Sequence, residues 1–598
     1  MSLLQRAIET YDFMDQNQSV GIYEENKEPL APVAHKIVNS NITISIDITG
    51  SFLTANKCNE KIIIPVSQDS ANRSNNNSPH ALCDTIKYVA EIDDKKHELY
   101  VKQLNDWGNS RFSHPKVEAV LRYIKKGSVL KDLDKCGLIR YKTDDSIGNC
   151  DDMIRWIIHG LSEIENGAVW NDKSLFQKYT EYYINEKLKN SATNLCYVSG
   201  NHEIVARLHL KGLVPRFPKA VLVSANDSEN FTFRGRFKNK EEALCIGYIS
   251  SQKAHNALKW IVANQGVPIG KKTFVCWTPR GIEIPRIDLP LSFNEKKVFR
   301  MSEYRIKLKS FLSGYSELNK YDARAVISIL DATNKDAGRL SLVYYNELVG
   351  DEYINRLMDW YETCCWITVT GNISSPSLNK ITILSYGTQR GNDDNAKMEI
   401  DSQIEGQVFQ RLFVCRLDKT RFPQDIITGL FNKSNNMQAY NENNRRDILF
   451  TTCAVIRKHW KDHHNKEVSM ALDENFKDRS YQFGRLLAVL EKIERDTYDA
   501  NEKREPNAIR LQSVFVKRPV YAFKLIMEQL KNAYYPKINQ GYRVMYEKLI
   551  GQIMEEISTY PASEYGKPLS ELYLIGYYLQ KNHLYEKHAK DEEVRETE

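Results

Sequence analysis

The sequence lacks a CxxC pair. Its eleven cysteines are scattered, and the only close pair is the adjacent Cys364–Cys365. An odd count without paired spacing points to reduced thiols and argues against a cysteine zinc site. No run approaches 18 consecutive apolar residues, so no segment reads as a membrane span. The opening MSLLQRAIETYDFMDQ carries Glu9, Asp12 and Asp15 where a secretory signal has a basic start and an apolar run. The expectation is an intracellular protein. There is no G-x-x-x-x-G-K-[ST] and no G-x-S-x-G, so the P-loop and the nucleophile elbow are both missing. FRGRFKNK (233–240) has too few glycines for a dinucleotide fingerprint.

Two further constellations fall short of a site. HWKDHH puts His459 and His463 four apart, a metal-ligand spacing, but Trp460 stands where a metalloprotease needs Glu and no third ligand is near. The bland reading is a solvated helix end. The acid pairs Asp93–Asp94, Asp151–Asp152 and Asp393–Asp394 lie in polar stretches and read as solvated loop or helix-start residues. A two-metal nuclease would need such carboxylates to converge in space.

What is present is a 598-residue chain, 42% hydrophobic and 27% charged, long enough for two to four globular domains. The first 400 residues or so mix strands and helices. TISIDITGSFLTA (43–55) alternates around a Thr-Gly turn and predicts a hairpin. KIIIPV (61–66) reads as another strand ending at Pro65, and KAVLVSA (219–225) and GRLSLVYYNEL (338–348) as two more. Residues 80–90 look helical. Val117, Val120, Leu121 and Ile124 share one helix face, and ALKWIVANQG (257–266) ends a helix at a Gly cap. Beyond residue 400 helical periodicity dominates. Stripes at Phe483–Ile493, Phe523–Leu530 and Met545–Ile557, with a fourth candidate at 570–585, predict an up-and-down bundle, and Pro519 can open its second helix. The fold class is therefore α+β: a mixed α/β N-terminal region (1–398), a helical connector (399–469) and an all-α C-terminal bundle (470–598).

The net charge of +6 is modest, but the cations cluster. Residues 207–240 hold Arg207, Lys211, Arg216, Lys219, Arg234, Arg236, Lys238 and Lys240 against Asp227 and Glu229. In FTFRGRFK, strand alternation would put Arg234, Arg236 and Lys238 on one face among phenylalanines. That suits a phosphate track, or equally an edge strand guarded by charge. A second cluster runs from Lys503 to Arg543 and includes Lys517, Arg518, Lys524 and Lys531. Bound phosphates would make binding at either cluster salt-sensitive.

One loop stands out. QDSANRSNNNSPHALCDTIKYVAE (68–91) places Asn72, Arg73, Asn75, Asn76 and Asn77 just before Pro79. Asn, Ser and Pro are ordinary turn formers. They are also amide and guanidinium groups that can face a base edge.

Seven segments, in order, resemble one family along nearly the whole chain. They are PHALCDTIKYV (79–89), VSGNHEIVARLHLKGL (198–213), GRLSLVYYNEL with MDWYETCCW (338–348, 358–366), SPSLNKITILSYGTQRG (375–391), KEVSMALDENFKDRSYQFGRLLAVLEKIER (466–495), NAIRLQSVFVKRP (507–519) and KPLSELYLIGYYLQK (567–581). The chain resembles the large subunit of the type I-C (Dvulg subtype) CRISPR Cascade surveillance complex.

That resemblance implies a non-enzymatic, cytoplasmic bacterial defence protein without a cofactor. Its implied partners are the guide RNA (crRNA), target double-stranded DNA, the Cascade backbone, five-prime-handle and small subunits, and a helicase-nuclease. It implies recognition of the protospacer-adjacent motif, duplex opening into an R-loop and stabilisation of the displaced strand. Motif reading then falls to Asn72, Arg73, Asn75, Asn76 and Asn77, with phosphate help from Lys87. Backbone contacts fall to Arg207, His209, Lys211, Arg216, Lys219, Arg234, Arg236 and Lys238, and displaced-strand contacts to Lys517, Arg518, Lys524 and Lys531. The loop departs from the family's usual text, which is richer in Gly and lacks this Asn run. The family also implies that Met470 can serve as an internal start for a separate small subunit. The rival readings are a metal-dependent nuclease and a scaffold that binds only protein.

Overall fold

The structure is a computed structural model. It describes residues 1–597 except 74–76, 145, 161–166, 225–236, 238–239, 289–290, 293–299, 320–322, 333–335, 337, 369, 392, 394, 500–501 and 503. At residues 240, 241, 292, 319 and 586–597 it describes the backbone alone. The chain forms two compact units: Met1–Ile284 with Lys320–Val349, and Pro285–Asn319 with Gly350–Glu598. The first is mixed α/β and the second mainly helical.

The first unit begins with helix α1 (Leu3–Gln16), opened by a Ser2–Gln5 capping box. Strands β1 (His35–Asp47) and β2 (Phe52–Pro65) form a long antiparallel hairpin, with Ile37 opposite Ile63. The expected hairpin is there. KIIIPV is the second half of β2 rather than a separate strand, because Ala55 to Ile64 stay in one ladder. Helices α2 (Gln68–Ala71), α3 (Ile86–Val89), α4 (Asp94–Gly108) and α5 (Pro115–Ile124) follow. Of residues 80–90 only α3 is helical, since the preceding backbone is spent on Asp84. In α5 the predicted stripe is buried as read, with His114 as N-cap and Pro115 in its first turn. Strand β3 (Ile154–His159) then adds parallel to β1, with Ile44 opposite Trp156. β1 is thus the central strand, and Ile42, Ile44 and Ile46 are buried.

Helix α6 (Lys173–Tyr182) carries Tyr179 and Tyr182 into this core. Helix α7 (Tyr248–Gln265) stops at Gly266, as expected, but not through a left-handed cap. The φ there is −70°, and a Cβ would lie 2.4 Å from the Val262 carbonyl oxygen. A second, antiparallel sheet takes β4 (Val267–Ile269), β5 (Lys272–Trp277), β6 (Arg324–Asp331) and β7 (Ser341–Val349) in the order β7-β6-β5-β4. KAVLVSA is not a strand. Among its described residues only Val221 pairs, bridging Lys211 and Arg339 singly, because the turn after Pro218 leaves too short an extended run.

The second unit holds α8 (Met301–Ser313), α9 (Gly350–Thr363), α10 (Leu378–Tyr386), α11 (Ser402–Asp418), α12 (Gln424–Ser434) and α13 (Glu442–His464). Met470 lies in the non-helical connection that follows. Then come α14 (Arg479–Arg495), α15 (Gln512–Lys517), α16 (Pro519–Gln529), α17 (Gln540–Ser558) and α18 (Leu572–Thr597). α14 is not amphipathic: every residue from Ser480 to Glu494 is buried. It is the axis around which α16, α17 and α18 pack. Its polar groups are satisfied inside, as where Glu491 accepts from Lys581 and Arg485 donates to Gln580. In α17 the buried row is Tyr546, Ile550, Ile553 and Ile557, one residue on from the expected Met545 and Leu549 at its start.

Candidate nucleic-acid interface

The Asn-rich loop is held by two stems. On the first, Ser67 caps α2 and Asn72 ends it. The Asn72 Nδ2 donates to the His209 carbonyl at 2.9 Å, and its Oδ1 accepts from the Lys211 amide at 3.1 Å. Lys211 Nζ donates back to the Asn72 carbonyl at 2.9 Å. The Gln68 Oε1 accepts from the Arg207 and Leu208 amides, and Arg207 pairs with Asp69 at 2.5 Å. Side-chain amides thus zip residues 207–211 to the loop stem, in place of a β-ladder.

On the second stem Arg73 grips Asp84 bidentately, both bonds at 2.8 Å, and donates to the Ser78 carbonyl at 3.2 Å. Its guanidinium lies 4.3 Å from the Tyr88 ring centre. Residues 73 and 78 are thereby tied. Asn75 and Asn76 lie outside the described residues, and Asn77 is half-buried. Lys87, at the far side, pairs with the exposed Asp151.

Beneath the loop lies a cleft of about 990 Å³. Its lining brings together Asn72, Arg207, His209 and Lys211 with Lys102, Lys187 and the tyrosines 179, 182 and 183. Asp69 and Asp106 are the acids among its lining residues, each paired with a cation. The buried hydroxyls of Tyr179 and Tyr182 make no well-formed hydrogen bond, although Gln103 and Lys187 lie beside them. His209 reaches Ser251 Oγ at 2.7 Å and stacks on His255. Burial holds its imidazole down at about 4, so at neutral pH it offers no charge to a phosphate.

The other candidates in this unit separate. Arg216 faces inward, donating to the carbonyls of Gly270 and Lys272 and to Thr273 Oγ1, and so clamps the β4–β5 turn. Lys219 is exposed and pairs with the exposed Asp336 at 2.9 Å. Arg234, Arg236 and Lys238 lie outside the described residues. Sequence reasoning missed Lys102, Lys187 and the tyrosines of α6, because nothing local marks residues that converge only through the fold.

In the second unit Lys517, Arg518, Lys524 and Lys531 are all exposed, and none has an ion-pair partner among the described residues. Tyr521, 55% exposed, sits one turn before Lys524 on the same helix face. It too escaped sequence reasoning, although its place opposite the Ala522–Ile526 core side was a usable signal. The His459 and His463 rings stack at 4.3 Å, and His463 Nε2 donates to the Phe422 carbonyl. Burial, with His463 adding to it, pushes His459 down to about 4. Among the described residues no three His, Cys, Asp or Glu side chains converge as metal ligands, and no helix is long and apolar enough to cross a membrane.

No curated protein matches the sequence. A family model described as CRISPR-associated protein (Cas_Csd1) matches residues 9–585. With nearly its whole length matched, the chain belongs to the Cas_Csd1 family of CRISPR-associated proteins.

Proposed function

We propose that the chain is the non-catalytic large subunit of a type I-C Cascade, acting in the bacterial cytoplasm. It reads the protospacer-adjacent motif on double-stranded DNA, promotes R-loop formation, steadies the displaced strand and helps to recruit the helicase-nuclease. The observation that carries this reading is the double anchorage at the flanks of the Asn-rich segment: Arg73 is held by Asp84 and the Ser78 carbonyl, and Asn72 by Lys211. A rigid base presenting short polar side chains is what groove reading needs.

The roles within the loop divide accordingly. Asn75, Asn76 and Asn77 touch bases, while Asn72 and Arg73 hold the frame. Lys87 exchanges Asp151 for a DNA phosphate. Arg207, Lys211 and Lys219, with Arg234, Arg236 and Lys238, follow nucleic-acid backbone, and Lys517, Arg518, Lys524 and Lys531 take the displaced strand. The guide RNA and the backbone, five-prime-handle and small subunits complete the assembly.

A photo-crosslinkable duplex carrying a T-rich motif tests the reading. In the assembled complex it should crosslink within residues 73–78, and a duplex lacking the motif should not. Crosslinks to no part of the chain would leave a protein-binding scaffold. Metal-dependent cleavage by the isolated chain would leave a nuclease.

A further inference from the structure

Three lysines close in on the loop stem from three different elements. Lys36 follows His35 at the start of β1. His35 turns inward onto Phe176 and Tyr179, so strand alternation sends Lys36 to the opposite face. Lys259 lies on α7, one turn beyond His255 and two beyond Ser251, the residues that meet His209. It therefore faces the 207–211 segment. Lys211 reaches Asn72 from that segment. Lys36 and Lys259 are half-buried, and none of the three has an ion-pair partner among the described residues.

The charges around them make this arrangement costly. Facing Lys36 are Arg73, Asp84, Lys211 and Lys259, with His80 close by. Facing Lys259 are Lys211 and His255, and Lys219 faces Lys211. Among the described residues Asp84 is the carboxylate that acts on Lys36, and it already accepts from Arg73 twice and from the His80 and Thr85 amides. Burial first, and neighbouring cations second, hold Lys36 down at about 7 and Lys259 at about 8. Converging, desolvated ammonium groups whose neighbouring carboxylate is already engaged mark a place where an anion belongs.

We propose that Lys36, Lys211 and Lys259 form a seat for a nucleic-acid phosphate against the stem of the Asn-rich loop. The seat rests on the reading of this chain as a nucleic-acid-binding subunit and adds two residues, Lys36 and Lys259, that no motif marks. A seated phosphate couples occupancy to loop position through the Lys211–Asn72 bond. It also makes binding take up protons. An ammonium group that is partly neutral when free becomes fully charged beside phosphate, so affinity is highest below the free value and falls as pH rises through it.

The test uses the full chain with two probes, a 30-base-pair DNA duplex and a single-stranded RNA of equal length, at fixed salt. Between pH 6.5 and 9.0 wild-type affinity should fall about tenfold or more for the probe that fills the seat. Lys36→Arg with Lys259→Arg should keep the affinity at pH 6.5 and lose its pH dependence, because guanidinium stays charged. Lys36→Met with Lys259→Met should weaken binding and lower the salt slope by about one for duplex DNA, the loss of one neutralised phosphate. The same pair should raise the melting temperature, since it removes two desolvated charges. A response with RNA alone assigns the seat to the guide, and with DNA alone to the target. Binding that is flat with pH in wild type, or still pH-dependent in the Arg pair, overturns the seat while leaving the subunit's role intact. No binding of either probe at any pH overturns both.

Discussion

Arg73 and Asp84 meet fork to fork, with both Nη–Oδ distances at 2.8 Å and the carboxylate wholly buried. The pair closes the loop onto the unit's core. The amides of His80 and Thr85 also donate to the carboxylate, both at 2.7 Å.

Arg73→Ala should therefore be strongly destabilising. It strands a buried carboxylate without a counter-charge, a loss of about 3–5 kcal/mol. Urea unfolding of the purified chain measures it, and limited proteolysis should show new cleavage between residues 73 and 80. Arg73→Lys should recover only part of the loss, because an ammonium group cannot fork.

Replacing Asn75, Asn76 and Asn77 together by Ala should act in the opposite manner. Stability and complex assembly should stay as in wild type while discrimination among motif variants disappears. Removing a bidentate hydrogen bond to a base takes away about 1–3 kcal/mol of discrimination. Competition binding with a panel of motif duplexes reads this directly. An unchanged preference order would remove the loop from base recognition.

The contrast between these two predictions shows what the sequence could reveal. The hairpin, α5, β7 and the helical second half were legible because period-2 and period-3.6 patterns are local. The division of labour inside ANRSNNNSPH was not. Asn72 and Arg73 look no different from their neighbours, yet their partners stand 139 and 11 residues away. Lys36 and Lys259 carry no motif, and only the fold brings them together. Arg216 is the converse case: it belongs to a basic cluster in sequence but folds inward onto backbone carbonyls.

Acid should loosen the first unit through Glu347. This carboxylate lies under Arg6, with Arg6 Nη2 at 2.7 Å, and also accepts from Tyr345. Burial alone would raise its pKa. The Arg6 hydrogen bond and charge, the Tyr345 hydroxyl and the N-terminal ammonium group overcome that and hold it at about 2. A depressed folded value means that the stabilisation is complete above the unfolded value, about 4.5, and is lost as pH falls towards 2. Glu347→Gln should lower stability at pH 7 and flatten the acid limb of a melting-temperature profile between pH 4.5 and 2.

Helices α14 and α18 cross at two glycines. A Cβ on Gly484 would lie 1.9 Å from the Tyr573 carbonyl oxygen, and one on Gly576 would lie 2.1 Å from that of Tyr481. The clashes are with backbone, so no side chain can move aside. Gly484→Ala or Gly576→Ala should force the helices apart and cost at least the 1–3 kcal/mol typical of overpacking. Thermal unfolding followed by circular dichroism should show the loss. Gly551→Ala, on α17 with open space around it, should instead be neutral or slightly stabilising.

The exposed row Lys517, Arg518 and Lys524 should govern the displaced strand. Substituting all three by Glu leaves the buried side of α16, Ala522 and Ile526, untouched, so the fold should hold. Binding of single-stranded DNA should weaken, and its salt slope should fall by about 0.7 for each phosphate no longer neutralised. Tyr521→Ala should weaken binding by about 1–3 kcal/mol with no change in salt slope, because stacking releases no counterions. The two variants thus separate charge from stacking. R-loop formation by the assembled complex, titrated with salt, is the deciding measurement: a charge-reversed complex with the wild-type slope would take this face off the path of the strand.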